Sequence, residues 1–169
     1  MDEKFTVGLL VNNHAGVLNR VAGLYAKRGY NIDSLAVGVT ENPLYSRITI
    51  VSTGDSYMKD QVVRQLWKLH DVKVAALLPG GSMVGVEHML IKMRAGGDSK
   101  AGISALINAY AGKVMDFGDT FITAEITGDS EKIDQFIHEA EALGILELCR
   151  SGLISLSLGD ANVLSIQNL

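Results

Sequence analysis

Residues 12–33, NNHAGVLNRVAGLYAKRGYNID, follow an apolar run and combine a short loop, an amphipathic helix and the beginning of a second strand. The helix is expected over 15–28, because apolar and polar positions alternate with helical spacing: Val17, Leu18, Val21, Leu24 and Tyr25 on one stripe, Asn19, Arg20, Lys27 and Arg28 on the other. Gly29 follows the last basic pair, where a left-handed residue often ends a helix. The next strand is expected to begin at about 30–32.

Gly16 lies at the predicted start of this helix. Free backbone N–H groups and the positive end of the helix dipole meet at such a position, so a small carboxylate could bind there. An ordinary turn between a strand and a helix, with no ligand, has the same local sequence. The residues alone leave both interpretations open.

The rest of the first half predicts a βαββαβ order. Strands are expected at 5–11, 31–40, 45–52 and 71–78, and Thr53-Gly54-Asp55-Ser56 supplies N-cap side chains for a second helix. This order is the split arrangement of the ferredoxin-like fold. Residues 79–82, PGGS, interrupt the pattern and predict a linker.

The second half repeats the first. Residues 48–56, ITIVSTGDS, and residues 122–130, ITAEITGDS, are identical at six of nine positions at an offset of 74. Around the second copy, strands are expected at 86–94 and 113–117, and a strand region with Gly152 inside it is expected at 145–157. Helices are expected at 99–111 and through an apolar stripe from Ile133 to Leu143. The chain is therefore predicted to be an α+β protein of two tandem ferredoxin-like units, at 1–79 and 83–160, with a tail at 161–169.

Composition and charge exclude several classes of function. The net charge is −4, with +2 in residues 1–79 and −6 in residues 80–169, so a nucleic-acid-binding surface is not expected. No run approaches the roughly 18 apolar residues of a membrane span, and the N-terminus MDEKFTVGLL resembles neither a signal nor a transit peptide. The single cysteine, Cys149, lies in an apolar run and is expected in the core, which points to the cytoplasm.

Catalytic and metal-binding patterns are missing from the sequence. The chain has four histidines, which fall in four different predicted elements: His14, His70, His88 and His138. The sequence contains no metal-ligand motif, no nucleotide-binding loop and no paired acid and base. The sequence therefore predicts a binding module with no catalytic residue, metal or cofactor of its own.

Several stretches resemble the regulatory (small) subunit of acetolactate synthase, also called acetohydroxyacid synthase. The most specific are VNNHAGVLNRV at 11–21 and RGYNIDSL at 28–35; SRIT at 46–49, QLWKL at 65–69, GILE at 144–147 and RSG at 150–152 agree. The resemblance covers residues 4 to about 160. Two positions depart from the family pattern, Val86 in place of an Arg and Leu158 in place of another.

This resemblance implies an N-terminal ACT domain, homodimerisation through it, and feedback inhibition by valine or another branched-chain amino acid. The implied effector site comprises loop residues of one chain and residues at the start of the second strand of the other: Asn13, His14, Ala15, Gly16, Val17 and Leu18, with Asn31 and Ile32. The implied partner is a catalytic large subunit that uses thiamine diphosphate, Mg and FAD to form 2-acetolactate from pyruvate in valine, leucine and isoleucine biosynthesis. This chain would activate that subunit without catalysing the reaction.

Two alternatives stay open at the level of sequence. One is a free-standing tandem ACT sensor that acts on another enzyme or on a transcription factor. The other is a small enzyme on a ferredoxin-like scaffold, which the missing catalytic pattern disfavours.

Overall fold

The computed structural model of the protein describes residues 2–97 and 99–165. Within these residues the chain alternates strands and helices in an order that repeats after β4: β1 (Glu3–Asn12), α1 (Val17–Lys27), β2 (Ser34–Val39), β3 (Tyr45–Gly54), α2 (Ser56–Leu66), β4 (Val72–Leu77), β5 (Met83–Arg94), α3 (Ser99–Ala109), β6 (Lys113–Phe117), β7 (Phe121–Gly128), α4 (Ser130–Glu141), β8 (Ile145–Arg150) and β9 (Ile154–Ser157). A single 3₁₀ turn, Gly80–Ser82, lies between β4 and β5. No helix among the described residues is long and apolar enough to cross a lipid bilayer.

The first unit contains an antiparallel sheet of four strands in the order β2-β3-β1-β4. Alternate residues of β1 point to the face that α1 and α2 cover, and the core there is completed by Val21, Tyr25, Val62 and Leu66 of the two helices. The predicted stripe of α1 is thus the buried one. Gly29, with φ of +68°, follows the helix in the left-handed conformation that its position predicts.

The second unit contains an antiparallel sheet with the strand order β6-β7-β5-β8. Helices α3 and α4 pack on it through a separate apolar core: Met89, Ile91, Met93, Ile103, Ile107, Ile122, Ile126, Ile133 and Phe136. The two ferredoxin-like units predicted from the sequence are therefore confirmed as the fold class.

The internal repeat extends to atomic detail. Glu3 pairs with Gly54 in the first sheet, and Glu87 pairs with Gly128 in the second. After each glycine an aspartate caps the following helix, since Asp55 accepts from the Met58 amide and Asp129 from the Lys132 amide, each at 2.8 Å.

The compact units divide the chain differently from the predicted boundaries at 79/83 and 160. One unit comprises the chain up to Gly85 together with the segment from Leu153 onward, and the other comprises Val86–Gly152. The predicted linker at 79–82 lies within the first unit. The first unit is therefore discontinuous in sequence.

The segment from Leu153 onward packs against the rest of the first unit by polar and apolar contacts. Its Leu153 amide donates to the Ser34 hydroxyl at 3.1 Å, and the Ser155 carbonyl accepts from Arg47 Nη2 at 2.7 Å. Leu164 is buried with Leu10, Val74 and Leu78. Part of the predicted tail at 161–169 is thus an integral part of the first unit, and residues 166–169 lie outside the described residues.

Single elements differ in detail from the sequence predictions. Helix α1 starts at Val17 instead of 15, because Gly16 adopts φ of +88° at the N-cap. The strand region expected at 145–157 consists of two strands, β8 and β9, which lie on either side of Gly152 with its φ of +76°. Cys149 is exposed and not in the core, since it pairs with Leu90 on the sheet face that points away from Met89 and Ile91.

Candidate functional site

The loop between β1 and α1 leaves the start of α1 open. Gly16 is the N-cap residue, and no side chain caps the helix. A Cβ built on Gly16 would meet no atom within 4 Å, so the space in front of the first turn is open. Backbone N–H groups of the first helical turn can therefore receive an anionic group there.

The side chains around this helix start differ in burial. Val17 is buried in the core, whereas Asn13, His14 and Ala15 are exposed. Leu18 is 42% exposed although it lies on the apolar stripe of α1. An exposed leucine next to uncapped amides gives the loop both an apolar and a polar binding surface.

Asn13 fastens the loop to the turn between β2 and β3. Its backbone amide donates to the Leu44 carbonyl at 2.7 Å, and its side-chain Nδ2 donates to the Pro43 carbonyl at 2.8 Å. Because Nδ2 makes the bond within the chain, Oδ1 is the atom of this side chain that can accept from a ligand ammonium group.

Asp71, which directly precedes β4, joins three side chains of the loop region. Its Oδ1 accepts from His14 Nε2 at 2.9 Å and from Asn12 Nδ2 at 3.3 Å, and its Oδ2 accepts from an Arg20 guanidinium nitrogen. The Asp71 carbonyl also accepts from the Asn12 amide at 2.9 Å. The side chain of Asp71 is only 5% exposed, so these donors replace the water that the carboxylate loses.

The protonation states of Asp71 and His14 follow from these contacts. Burial alone would raise the pKa of the Asp71 carboxyl, but hydrogen bonds from Asn12, His14 and Arg20 outweigh it, and the pKa is lowered. The pKa of His14 is raised, first by the hydrogen bond between Nδ1 and the Ala15 carbonyl (3.0 Å) and then by the one to Asp71.

Asn31 and Ile32 lie away from the loop within one chain. Strand β2 starts at Ser34, so these two residues belong to the preceding loop and not to the predicted strand start. Asn31 Nδ2 donates to Asp33 Oδ1 at 2.7 Å, and Thr53 donates to the other oxygen of Asp33 at 2.8 Å, which holds this segment in a polar turn.

The sheet register fixes how far apart the two groups are. Asn12, at the end of β1, pairs with Tyr45, whereas Ser34, at the start of β2, pairs with Val51. Tyr45 and Val51 are six residues apart along β3, which corresponds to about 20 Å along the strand. A single chain therefore brings together residues 13–18 but not residues 31–32 with them.

Sequence reasoning missed Asp71, Arg20 and Asn12 as members of this site. Asp71 carried only a weak signal in the sequence, as an acidic residue directly before an apolar strand. Its partners are more than 50 residues away in sequence, so nothing in the local pattern could identify them.

In the described part of the chain, no group of three or more His, Cys, Asp or Glu side chains is placed to hold a metal ion.

The fold and the open helix start define the first unit as an ACT-type domain. Residues 7–74 match the family model described as the AHAS small subunit-like ACT domain, and residues 86–159 match the model described as the small subunit of acetolactate synthase. The chain belongs to the acetolactate synthase small-subunit family.

Known relatives agree over nearly the full length of the chain. The probable acetolactate synthase small subunit of Methanothermobacter thermautotrophicus is 40% identical over 156 residues, which are 91% of this chain and 92% of the relative. The acetolactate synthase isozyme 3 small subunit of Salmonella typhimurium is 37% identical over 155 residues, 91% of this chain and 95% of the relative.

A solved structure shows the same similarity in three dimensions. The crystal structure of the acetolactate synthase small subunit from Thermotoga maritima is 32% identical in sequence and superposes with a TM-score of 0.87. The match covers 94% of this chain and 99% of that one.

Proposed function

We propose that this chain is a noncatalytic regulatory subunit that activates the large catalytic subunit of acetolactate synthase and makes it sensitive to feedback inhibition by valine. The observation that carries the proposal is the uncapped start of α1 at Gly16, with open space in front of it, in a member of this family. That arrangement suits the carboxylate of a small amino acid.

The loop residues suit the remaining groups of a branched-chain amino acid. The ligand carboxylate accepts from amides at the start of α1, where Gly16 allows close approach of the backbone. The ligand ammonium donates to the Oδ1 of Asn13, whose Nδ2 is already bonded to Pro43. The exposed side chain of Leu18 provides an apolar contact for the branched side chain.

We infer that a homodimer completes this site. Strand β2 is an edge strand, and its side chains Val37 and Val39 are 48% and 61% exposed. Antiparallel pairing of β2 with its copy would place the start of one β2 beside the end of the other, where residues 13–18 lie. The partner's Asn31 and the partner's Ile32 would then reach the ligand, across the 20 Å that separate them from the loop in one chain.

The catalytic chemistry belongs to the large subunit in this proposal. That subunit would hold thiamine diphosphate, Mg and FAD and form 2-acetolactate from pyruvate in the cytoplasm. The small subunit would act by binding valine more tightly in one state of the complex than in another, because equal affinity for both states shifts no equilibrium.

The test is acetolactate formation by the cognate large subunit with and without this chain, each with and without valine. Stimulation by the chain that valine reverses is the expected result. A demonstrably active large subunit that responds to neither addition would overturn the proposal and favour the free-standing ACT sensor.

A further inference from the structure

The carboxylate of Asp71 anchors the loop that precedes α1 by hydrogen bonds. Through Asn12, His14 and Arg20 it contacts the end of β1, the loop itself and the first turns of α1. The side chain of Asp71 is only 5% exposed, whereas a Cβ on Gly16 would meet no atom within 4 Å. Asp71 is thus placed to set the loop's shape through these three side chains.

The contacts of His14 require a particular charge state. Its Nδ1 faces the Ala15 carbonyl at 3.0 Å, and its Nε2 faces the Asp71 carboxylate at 2.9 Å. Both oxygens are acceptors only, and a neutral imidazole has a single N–H. Both contacts can be hydrogen bonds only when His14 is an imidazolium.

We propose that Asp71 is a positioning residue for effector binding and that the loop binds the effector more tightly when His14 is protonated. The inference rests on the proposed function, since it concerns the same loop. Loss of the proton would leave a ring lone pair facing an oxygen, so that His14 must give up either Asp71 or Ala15. It would also remove a positive charge from the loop two residues before Gly16, the N-cap of α1.

The charged groups around His14 set the direction of the effect. Asp71 and Arg20 are the charged residues that contact or influence its ring, and Asp71 raises its pKa while Arg20 lowers it. His70, exposed and directly before Asp71 in the chain, is the other nearby histidine. The pKa of His14 is raised above its ordinary value of 6.5, so His14 keeps its proton to a higher pH than an unperturbed histidine and loses it as the pH rises further.

The test is calorimetric titration of the full-length protein with valine from pH 6 to 8.5. We expect the affinity to fall by about two- to fivefold over this range, the effect of one surface charge near a helix start. In His14→Gln, which can still donate to Asp71 but cannot become charged, the affinity should be low and independent of pH. In Asp71→Asn the dependence should shift to lower pH, because His14 loses one of the contacts that raise its pKa. His70→Gln is the matched control and should keep the dependence of the unaltered protein.

A second readout separates this inference from the proposed function. The imidazole proton resonances of His14, followed by NMR without any ligand, should titrate at a lower pH in Asp71→Asn than in the unaltered protein. Valine binding that is independent of pH, or a dependence that survives in His14→Gln, overturns the inference alone. Absence of valine binding at every pH overturns the proposed function and this inference with it, while the NMR titration still reports on the contact between the two side chains.

Discussion

The carboxylate of Glu87 and the guanidinium of Arg150 form a two-pronged ion pair inside the second unit, with Nε at 2.9 Å and Nη2 at 2.7 Å from the same oxygen. The side chain of Glu87 is 5% exposed and also accepts from the Ser130 hydroxyl. Arg150 makes a further contact, to the exposed Asp134 at 2.6 Å. One arginine thus holds a buried and an exposed carboxylate.

Arg150→Ala should lower the free energy of unfolding of the second unit by about 3 kcal/mol, because it leaves the Glu87 charge buried without its partner. Urea unfolding at neutral pH would measure this change. Asp134→Ala is the control and should cost less than about 1 kcal/mol, as exposed ion pairs do. Equal costs for the two variants would contradict the assigned difference in burial.

Leu164 and Gly8 are predicted to be energetically coupled. A Cβ on Gly8 would overlap Leu164 Cδ1, so Gly8→Ala displaces the leucine and should cost about 1–3 kcal/mol. Leu164→Ala alone should cost about 2 kcal/mol through lost burial.

The double variant tests the coupling. The added methyl group fills the space that Leu164 vacates, so Gly8→Ala should cost less in the Leu164→Ala background. Gly38→Ala, on the exposed edge strand with no atom within 4 Å of its Cβ, is the control and should show no such dependence. Strict additivity at Gly8 would contradict the contact.

Asp55→Ala and Asp129→Ala should have similar effects on their respective units. Each aspartate accepts from the amide three residues later at 2.8 Å, so each loss should cost about 1 kcal/mol. Thermal unfolding of the two variants beside Asp55→Asn and Asp129→Asn, which retain a capping oxygen, would measure it. A cap that costs nothing to remove in only one unit would argue against the equivalence of the repeats.

Asp71 should contribute to stability above its unfolded pKa and lose that contribution in acid. Its folded pKa is lowered from 3.8, so the folded state resists protonation, and stability should fall as the pH decreases below about 4. Asp71→Asn should be less stable at neutral pH and show a shallower decrease in acid. Urea midpoints between pH 2.5 and 6 would measure this, with the exposed Asp60→Asn as a control for removal of a surface carboxylate.

Gly16→Asp should abolish valine inhibition of the reconstituted synthase, because its carboxylate repels that of the ligand and enters the open space at the helix start. Gly16→Asn is the matched control: asparagine tolerates the left-handed φ of +88° about as well as aspartate but carries no charge. Inhibition by valine should be weakened less in Gly16→Asn. Full inhibition in Gly16→Asp would place the effector elsewhere.

Local patterns predicted most of the elements of both units. The stripe of Val21 and Tyr25, the cap at Asp55 and the left-handed Gly29 each depend on residues within a few positions, where periodicity and turn chemistry determine structure. The repeat of TGDS then predicted the second unit from the first. The structure confirms the repeat, because Gly54 pairs with Glu3 in the first sheet as Gly128 pairs with Glu87 in the second.

Contacts between distant residues could not be predicted in this way. Asp71 meets His14 across 57 residues, and Leu164 meets Gly8 from the other end of the chain. Cys149 was misplaced because an apolar run does not reveal which sheet face lacks a covering layer. The candidate loop was predicted by its own sequence, but the group that anchors it was not.

The discontinuity of the first unit has a consequence for biosynthesis. Chains leave the ribosome from the N-terminus, so the sheet of β1 to β4 is complete long before Leu153 and Leu164 emerge. Until then Leu10, Val74 and Leu78 lack the leucine that packs on them, and the nascent chain carries an uncovered apolar sheet face while the whole second unit is being translated. A ribosome that stalls between codons 86 and 152 would therefore carry an intermediate with exposed apolar surface, to which chaperones bind.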